Sequence, residues 1–390
     1  MNPSATGWIN KVLKEVSHHN AFLNDDEETF YAALRACGFI FGSNLSIVGG
    51  IFAKKDLTED ELCKVNLLLA FLYTHHNTAC NVPFVDSVIQ FYEAINELKT
   101  SFFKGLLNSK KSSDQLEKVI HKRIHLDHNV LTKHFNYFII NALLFVDILA
   151  YKKFLQEGVI SIDYIRRLEN VIESIVLDAI EAKSIKNQYD ESLIRLFEAS
   201  LRYHDAEQIT YNQAVALTKT DLEKFYILDL SCMASWSDRV IDAHEMQFIV
   251  KLGNDFNLPS EKTRASISFV NSFYTTHKED IALLSSKNIV QSFYDNSSKM
   301  VSKLITRNSK RLYRELKDSK ELLVLLSQST QRELSSAEQK KVQDQLLDIF
   351  KSIPSLAIFI LPGGALLLPL VVKFIPKLLP SAFDENRVED

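Results

Sequence analysis

The chain has 390 residues, enough for about two to three domains, and only 10 Gly and 8 Pro. These turn-forming residues together reach less than half of their average share of about 12%, which excludes turn-dense all-β, collagen-like and disordered proteins and predicts an all-α fold. The net charge of -4 favours no polyanionic partner. The four cysteines include no C-x-x-C pair, which argues against a disulfide scaffold and a thiolate zinc site. They are Cys37, Cys63, Cys80 and Cys232.

Helix signals recur along the chain from its N-terminal end. The first residues lack the apolar core and cleavage site of a signal peptide, so we expect the body of the chain to be cytoplasmic. Thr58 and Glu61 fit a capping box that opens the apolar run 67–72. Ser113 opens a second helix, and Ser161 caps a third that ends near residue 182. Further helices are predicted at about 191–203, 211–218, 220–236, 242–256 and 260–275.

One predicted helix carries four side chains that could hold zinc, because they share a face at spacings of four, four and three residues. They are Glu117, His121, His125 and His128. The H-E-x-x-H pattern of zinc helices is absent, and neighbouring basic residues such as Lys122 oppose a cation. A polar helix face, or buried histidines in hydrogen bonds, is therefore the favoured interpretation.

An acidic motif follows the helix predicted to end near residue 236. Asp238, Asp242 and Glu245 resemble the D-G-x-I-D-x-x-E signature of TerB-like tellurite-resistance domains, with Arg239 in place of the glycine. Three carboxylates within one turn could hold a divalent cation through oxygen ligands. The alternative is an ordinary capping box that satisfies amides at the start of the next helix.

Positive charge is concentrated in residues 299–320, which carry a net +6 while the rest of the chain carries -10. Basic residues step by four along a helix whose opposite side is apolar, a pattern that suits an anionic membrane leaflet. The basic residues are Lys299, Lys303, Arg307 and Arg311, and the apolar ones are Met300, Leu304, Ile305, Leu312 and Leu316. The alternatives are a solvated face of a helix bundle and a nucleic-acid or ribosomal RNA site, which the overall acidity disfavours.

A run of 21 uncharged residues, 352–372, is long enough to span a bilayer as a helix. Most of the chain's prolines fall in or near this run, which leaves a re-entrant hairpin and a buried soluble segment as alternatives. We assign to the membrane segment Pro354, Pro362, Gly363, Gly364, Pro369, Lys373, Pro376 and Pro380. Capping residues at 335–339 open a helix that leads into the run.

The stretch from Glu321 to Phe383 resembles the membrane region of the leucine-zipper and EF-hand transmembrane (LETM) family. The shared features are a capped charged helix, an Ile-Pro step, a proline-interrupted apolar run and the ending Leu-Pro-Ser-x-Phe. The closest resemblance is to bacterial LETM-related proteins named for biofilm association. No EF-hand loop is present, and seven residues follow Phe383, so neither calcium sensing nor ribosome docking is carried over from the family.

These patterns predict an all-α, multi-helical cytosolic bundle with one C-terminal membrane segment. The expected regions are 1–130 (helical), 131–285 (helical, TerB-like in its later part), 286–351 (basic and capped helices), 352–383 (membrane segment) and 384–390 (tail). No nucleotide-binding or nucleophile motif is present, so we expect no enzyme. The expected partners are anionic lipids, an unidentified protein and a second copy of the chain.

The resemblance implies a membrane-anchored adaptor or a stress- or biofilm-associated envelope factor. The alternatives are a cation/proton exchange component acting as an oligomer and a ribosome-associated membrane protein. An exchanger needs ionisable or carbonyl ligands at depth, and residues 352–372 contain no ionisable side chain, which favours the adaptor.

Overall fold

The computed structural model describes residues 2–51, 57–96, 112–124, 141–182, 209–236, 243–277, 301–329, 332, 334–353, 356, 371–372 and 375. All regular secondary structure in these ranges is helical, which confirms the predicted all-α fold. None of the described helices is both long enough and apolar enough to cross a membrane. Most of the predicted membrane segment lies outside these ranges, and so does the predicted helix at 191–203.

The chain divides into two compact units. Unit 1 holds Thr6–Lys55 and Glu59–Ile289, and unit 2 holds Val290–Asp390 together with two short segments, Asn2–Ala5 and Asp56–Thr58. The sequence-based boundary at residue 131 lies outside the described residues and stays a prediction.

Eleven described α-helices belong to unit 1, and two of them form its centre. The helices are α1 (Trp8–Val16), α2 (Glu27–Ala36), α3 (Glu59–His76), α4 (Phe84–Asn96), α5 (Ser112–Ile124), α6 (Phe145–Glu157), α7 (Ile162–Glu181), α8 (Tyr211–Leu217), α9 (Asp221–Ser235), α10 (Ala243–Asp255) and α11 (Ser260–His277). Helices α3 and α9 are buried around most of their circumference, as expected of helices that are apolar on all sides. Helices α4, α5 and α6 pack against α3, while α7, α10 and α11 pack against α9.

Local capping explains where several of these helices begin. The Ser161 side chain accepts a hydrogen bond from the amide of Asp163, which confirms the predicted cap of α7. Thr220 and Glu223 form a reciprocal capping box at the start of α9. Helix α3 begins at Glu59, directly after the predicted cap residue Thr58. Short-range side-chain chemistry therefore determines the starts of α7 and α9.

The loop after α2 depends on one glycine and one buried amide. Gly38 has a φ of +85°, and a Cβ atom there would lie 1.8 Å from the backbone oxygen of Ser43. The Asn66 side chain accepts a hydrogen bond from the Val48 amide at 2.9 Å and donates one to the Asn44 side chain at 2.8 Å. These contacts fix the loop against α3.

The described residues of unit 2 form a short helical segment at 301–307 and three longer helices. The three are α12 (Ser309–Lys317), α13 (Lys320–Gln328) and α14 (Ser336–Ser352). Each of them packs against the other two. They enclose a leucine-rich core that also contains Val371 and Ile375, neither of which is exposed.

Candidate functional site

The apolar stripe predicted to face a membrane is covered by protein. Leu304, Ile305, Leu312 and Leu316 are at most 2% exposed and belong to the core of unit 2. The same core contains Leu356 and Val371 from the apolar run. In this conformation the stripe contacts other side chains of unit 2, and Met300 lies outside the described residues.

The predicted basic stripe is interrupted at Asn308. The Asn308 side chain donates a hydrogen bond to the backbone oxygen of Leu304 at 2.7 Å, and α12 begins one residue later. Lys303 and Arg307 are half-buried on one side of this break, and Arg311 is exposed on the other. These residues therefore do not lie on one uninterrupted helix, and Lys299 is outside the described ranges.

Arg311 connects α12 to the end of α14. Its guanidinium donates a hydrogen bond to the backbone oxygen of Ser352, the last residue of α14 and the first of the apolar run. A basic side chain at this position satisfies one of the carbonyl groups that a helix leaves unpaired at its C-terminus. The link places the start of α12 beside the start of the apolar run.

The predicted capping box of α14 is confirmed and has an additional ion pair. Ser335 accepts from the Glu338 amide, and a Glu338 oxygen accepts from the Ser335 amide at 2.8 Å. Arg332 donates to both carboxylate oxygens of Glu338, at 2.7 and 2.9 Å. The Arg332 hydrogen bonds, followed by those from Ser335, lower the pKa of Glu338 to about 2.

The prolines and glycines assigned to the membrane segment lie outside the described residues, as does Lys373. They are Pro354, Pro362, Gly363, Gly364, Pro369, Pro376 and Pro380. Of the described residues at the ends of the run, Ile353 is 1% exposed and Leu356 is fully buried. Both side chains pack into the core of unit 2.

Only one member of the predicted acidic cation site can be placed. Glu245 is the third residue of α10 and is fully buried, whereas Asp238 and Asp242 lie outside the described ranges. Acidic side chains in a first helical turn interact favourably with the helix dipole. Within the described ranges, no three His, Cys, Asp or Glu side chains are grouped so that they could hold a metal ion.

The zinc-like face of α5 has a structural role through Glu117. Both carboxylate oxygens of Glu117 accept from the amide of Gly7 at 3.0 Å, and one also accepts from the amide of Ile9 at 3.1 Å. Glu117 therefore caps α1 from a position 110 residues later in the chain. Burial raises the pKa of Glu117, and the hydrogen bonds from Gly7 and Ile9 oppose that rise. His121 is half-buried, and the other two histidines of this face, His125 and His128, are outside the described ranges.

Unit 1 contains three buried acids that were not predicted from the sequence, and each is held by an arginine and a tyrosine. At Asp229, the hydroxyl of Tyr31 donates at 2.8 Å and Arg35 Nη2 donates at 3.1 Å. Ser266 donates to the same carboxylate. Burial raises the pKa of Asp229, while the Arg35 charge lowers it, with burial the larger effect.

The other two acids repeat this arrangement. Asp147 accepts from Tyr92 at 3.0 Å and from Arg123 Nε at 2.8 Å. Glu223 accepts from Tyr164 at 2.9 Å and from Arg167 at 3.3 Å. The arginines lie over aromatic rings: Arg35 over Phe269 at 4.1 Å, Arg123 over Tyr92 at 5.6 Å and Arg167 over Tyr164 at 4.9 Å.

These three groups hold helices together, since each joins helices that are distant in sequence. A sequence signal for two of them was an acid within an apolar helical run, as at Asp147 and Asp229. Such an acid is rarely buried without a partner. Its hydrogen bonds occupy the carboxylate oxygens, which favours a structural over a catalytic role.

Comparison with known proteins finds a similarity in the C-terminal part of the chain. A family model described as LETM1-like, RBD matches residues 334–390, which include α14 and the apolar run. No curated protein and no solved structure matches the chain significantly. The similarity of this part of the chain to a LETM1-like family model agrees with the family resemblance predicted from the sequence.

Proposed function

We propose that the chain is a non-enzymatic, LETM-related membrane protein in which unit 1 serves as an adaptor for a protein partner. The observation that carries this proposal is the coincidence of the LETM1-like match with the 21-residue uncharged run inside it. The finer assignment is a stress- or biofilm-associated envelope factor with a TerB-like region ahead of unit 2. The body of the chain is cytoplasmic in this proposal.

The packing of unit 2 determines what membrane attachment would require. Ile353, Leu356, Val371 and Ile375 are buried in its core, so attachment in this conformation is peripheral. Insertion requires these side chains to leave the core for lipid, an exchange between two apolar environments. The two modes differ experimentally, since alkaline carbonate removes peripheral proteins and leaves inserted ones.

Membrane fractionation tests the proposal with three forms of the full chain. The natural sequence should sediment with membranes, and a carbonate wash should separate the two modes: release indicates peripheral attachment and resistance indicates insertion. Leu366→Asp with Leu368→Asp should release the protein, because each acid at the centre of a span costs about 2.5–3.5 kcal/mol. Val159→Asp with Val324→Asp adds the same charge at two exposed positions and should leave sedimentation unchanged.

A natural-sequence protein found only in the soluble fraction would refute the membrane assignment. Retention of the Leu366→Asp, Leu368→Asp form on carbonate-washed membranes would show that the attachment lies elsewhere in the chain.

A further inference from the structure

Helix α12 has a basic face that differs from the stripe expected from the sequence. Lys310, Arg314 and Lys317 are exposed and follow each other at spacings of four and three residues. At 100° per residue they fall within an arc of about 60° and span about 10 Å along the helix. The buried side chains of the same helix, Leu312 and Leu316, lie on the opposite side.

The charges of this basic face are not neutralised by neighbours. None of the three forms an ion pair with a carboxylate in the described part of unit 2. Other basic residues of the unit are paired: Arg332 with Glu338, Lys341 with Glu321 and Lys351 with Asp348. The basic face of α12 therefore keeps its positive charge for an external partner.

The position of the face indicates what that partner is. Arg311, next to Lys310, is hydrogen-bonded to the backbone of Ser352, where the apolar run begins. A helix fixed beside the start of an apolar segment lies at the depth of lipid headgroups when that segment contacts a bilayer. RNA is a less suitable partner, because RNA bases stack on exposed aromatic side chains. The one aromatic residue of α12, Tyr313, is half-buried against the core.

We propose that Lys310, Arg314 and Lys317 bind the anionic headgroups of a membrane leaflet. This inference rests on the proposed membrane association and adds its lipid selectivity. Binding is electrostatic and requires no insertion of α12, because the apolar side of the helix is already buried in unit 2. It should therefore weaken as salt rises.

Vesicle co-sedimentation of the full chain tests the proposal. One set of vesicles contains phosphatidylcholine alone and the other contains added phosphatidylglycerol. Each basic residue near an anionic surface strengthens binding about fivefold, so Lys310→Gln with Arg314→Gln and Lys317→Gln should weaken binding to the anionic vesicles about a hundredfold. Binding to phosphatidylcholine alone should stay unchanged.

Two control forms isolate the effect of position and charge. Lys11→Gln with Lys14→Gln and Lys118→Gln removes three exposed charges from unit 1 and should leave vesicle binding unchanged. Exchanging lysine and arginine, as Lys310→Arg, Arg314→Lys and Lys317→Arg, should preserve binding.

Three results would overturn the inference. The first is equal binding of the natural sequence to both vesicle types. The second is that the triple Gln variant of α12 binds the anionic vesicles as well as the natural sequence does. The third is that this variant loses binding to a single-stranded RNA but still binds the anionic vesicles. If the natural sequence still sediments with cell membranes in any of these cases, the proposed function stands and only the lipid selectivity fails.

Discussion

Arg35 in α2 and Asp229 in α9 form a buried ion pair across 194 residues of chain, with Nε and Oδ2 at 3.0 Å. Asp229 is 1% exposed and is also bonded to Tyr31 and Ser266, which come from α2 and α11. One carboxylate therefore joins three helices of unit 1. Its removal should leave the Arg35 charge buried without compensation.

We expect Asp229→Ala to lower the free energy of unfolding of unit 1 by about 3–5 kcal/mol, the usual cost of removing one partner from a buried pair. Glu157→Ala, which removes the exposed pair with Lys153, should cost about 0.3–0.5 kcal/mol. Both tryptophans, Trp8 and Trp236, lie in unit 1, so their fluorescence in urea reports its unfolding.

The double substitution Arg35→Met with Asp229→Leu should lower the free energy of unfolding by less than the two single substitutions together, because no unpaired charge remains. Additive costs would contradict the view that the two groups act as a pair.

A second prediction concerns the cap of α1. Glu117→Ala should lower stability by about 0.5–2 kcal/mol, the range for lost helix caps. Amide hydrogen exchange should speed up selectively in α1, since the Gly7 and Ile9 amides lose their acceptor. Asp114→Ala, on the same helix, is the matched control. Equal acceleration throughout unit 1 would argue against a local cap.

The sequence predicted helices and their starts better than it predicted long-range partners. Ser161 and Ser335 cap helices through residues two or three positions away, so local chemistry was sufficient. The partner of Glu117 is a backbone amide far away in sequence, and no spacing rule encodes it. The break at Asn308 was missed because the periodicity of basic and apolar residues continues through it, while its side chain bonds to the preceding turn.

The expected membrane contact of the apolar stripe rested on a pattern that lipid and a protein core share. An amphipathic helix has the same sequence pattern whether its apolar side meets lipid or a protein core. Leu312 and Leu316 meet a core, which only the tertiary structure shows. The LETM resemblance was accessible from sequence because it depends on a specific series of prolines and caps.

Gly38 provides a third prediction. Gly38→Ala should destabilise unit 1 by well over the about 1–2 kcal/mol that a left-handed backbone costs a non-glycine residue. The excess arises from the Ser43 backbone oxygen, 1.8 Å from the new Cβ. Gly158→Ala also has a positive φ, +74°, but meets no atom within 4 Å, so it should show the backbone cost alone. If urea titrations show the same loss of unfolding free energy for Gly38→Ala and Gly158→Ala, the steric explanation is refuted.

The start of α14 should depend on pH. The pKa of Glu338 is lowered from 4.5 to about 2 in the folded chain, chiefly by the Arg332 hydrogen bonds. Its contribution to stability is therefore complete above pH 4.5 and is lost as the pH falls towards 2. Hydrogen exchange at the first turn of α14 should show this loss, and Glu338→Gln should remove the pH dependence. A flat profile in the natural sequence would contradict the assignment.

The acidic motif that reaches into α10 at Glu245 allows a test with cations. We expect Glu245 to interact with the dipole of its own helix and not with a metal ion. The melting temperature in millimolar calcium or magnesium should therefore equal that in a chelator. A ligand bound only by the folded state would raise the melting temperature. A rise that Glu245→Ala and Asp238→Ala abolish would instead establish a cation site at Asp238, Asp242 and Glu245.

The long-range cap of α1 also affects the order in which the chain can fold during synthesis. The carboxylate that holds the Gly7 amide is made 110 residues after it. At a synthesis rate of about 5–20 residues per second, the residues of α1 are synthesised about 5–20 s before Glu117. Isolated helices of nine residues are marginal in water, so α1 should form late, when α5 arrives. The N-terminal residues of the nascent chain would therefore stay accessible to other factors during that interval.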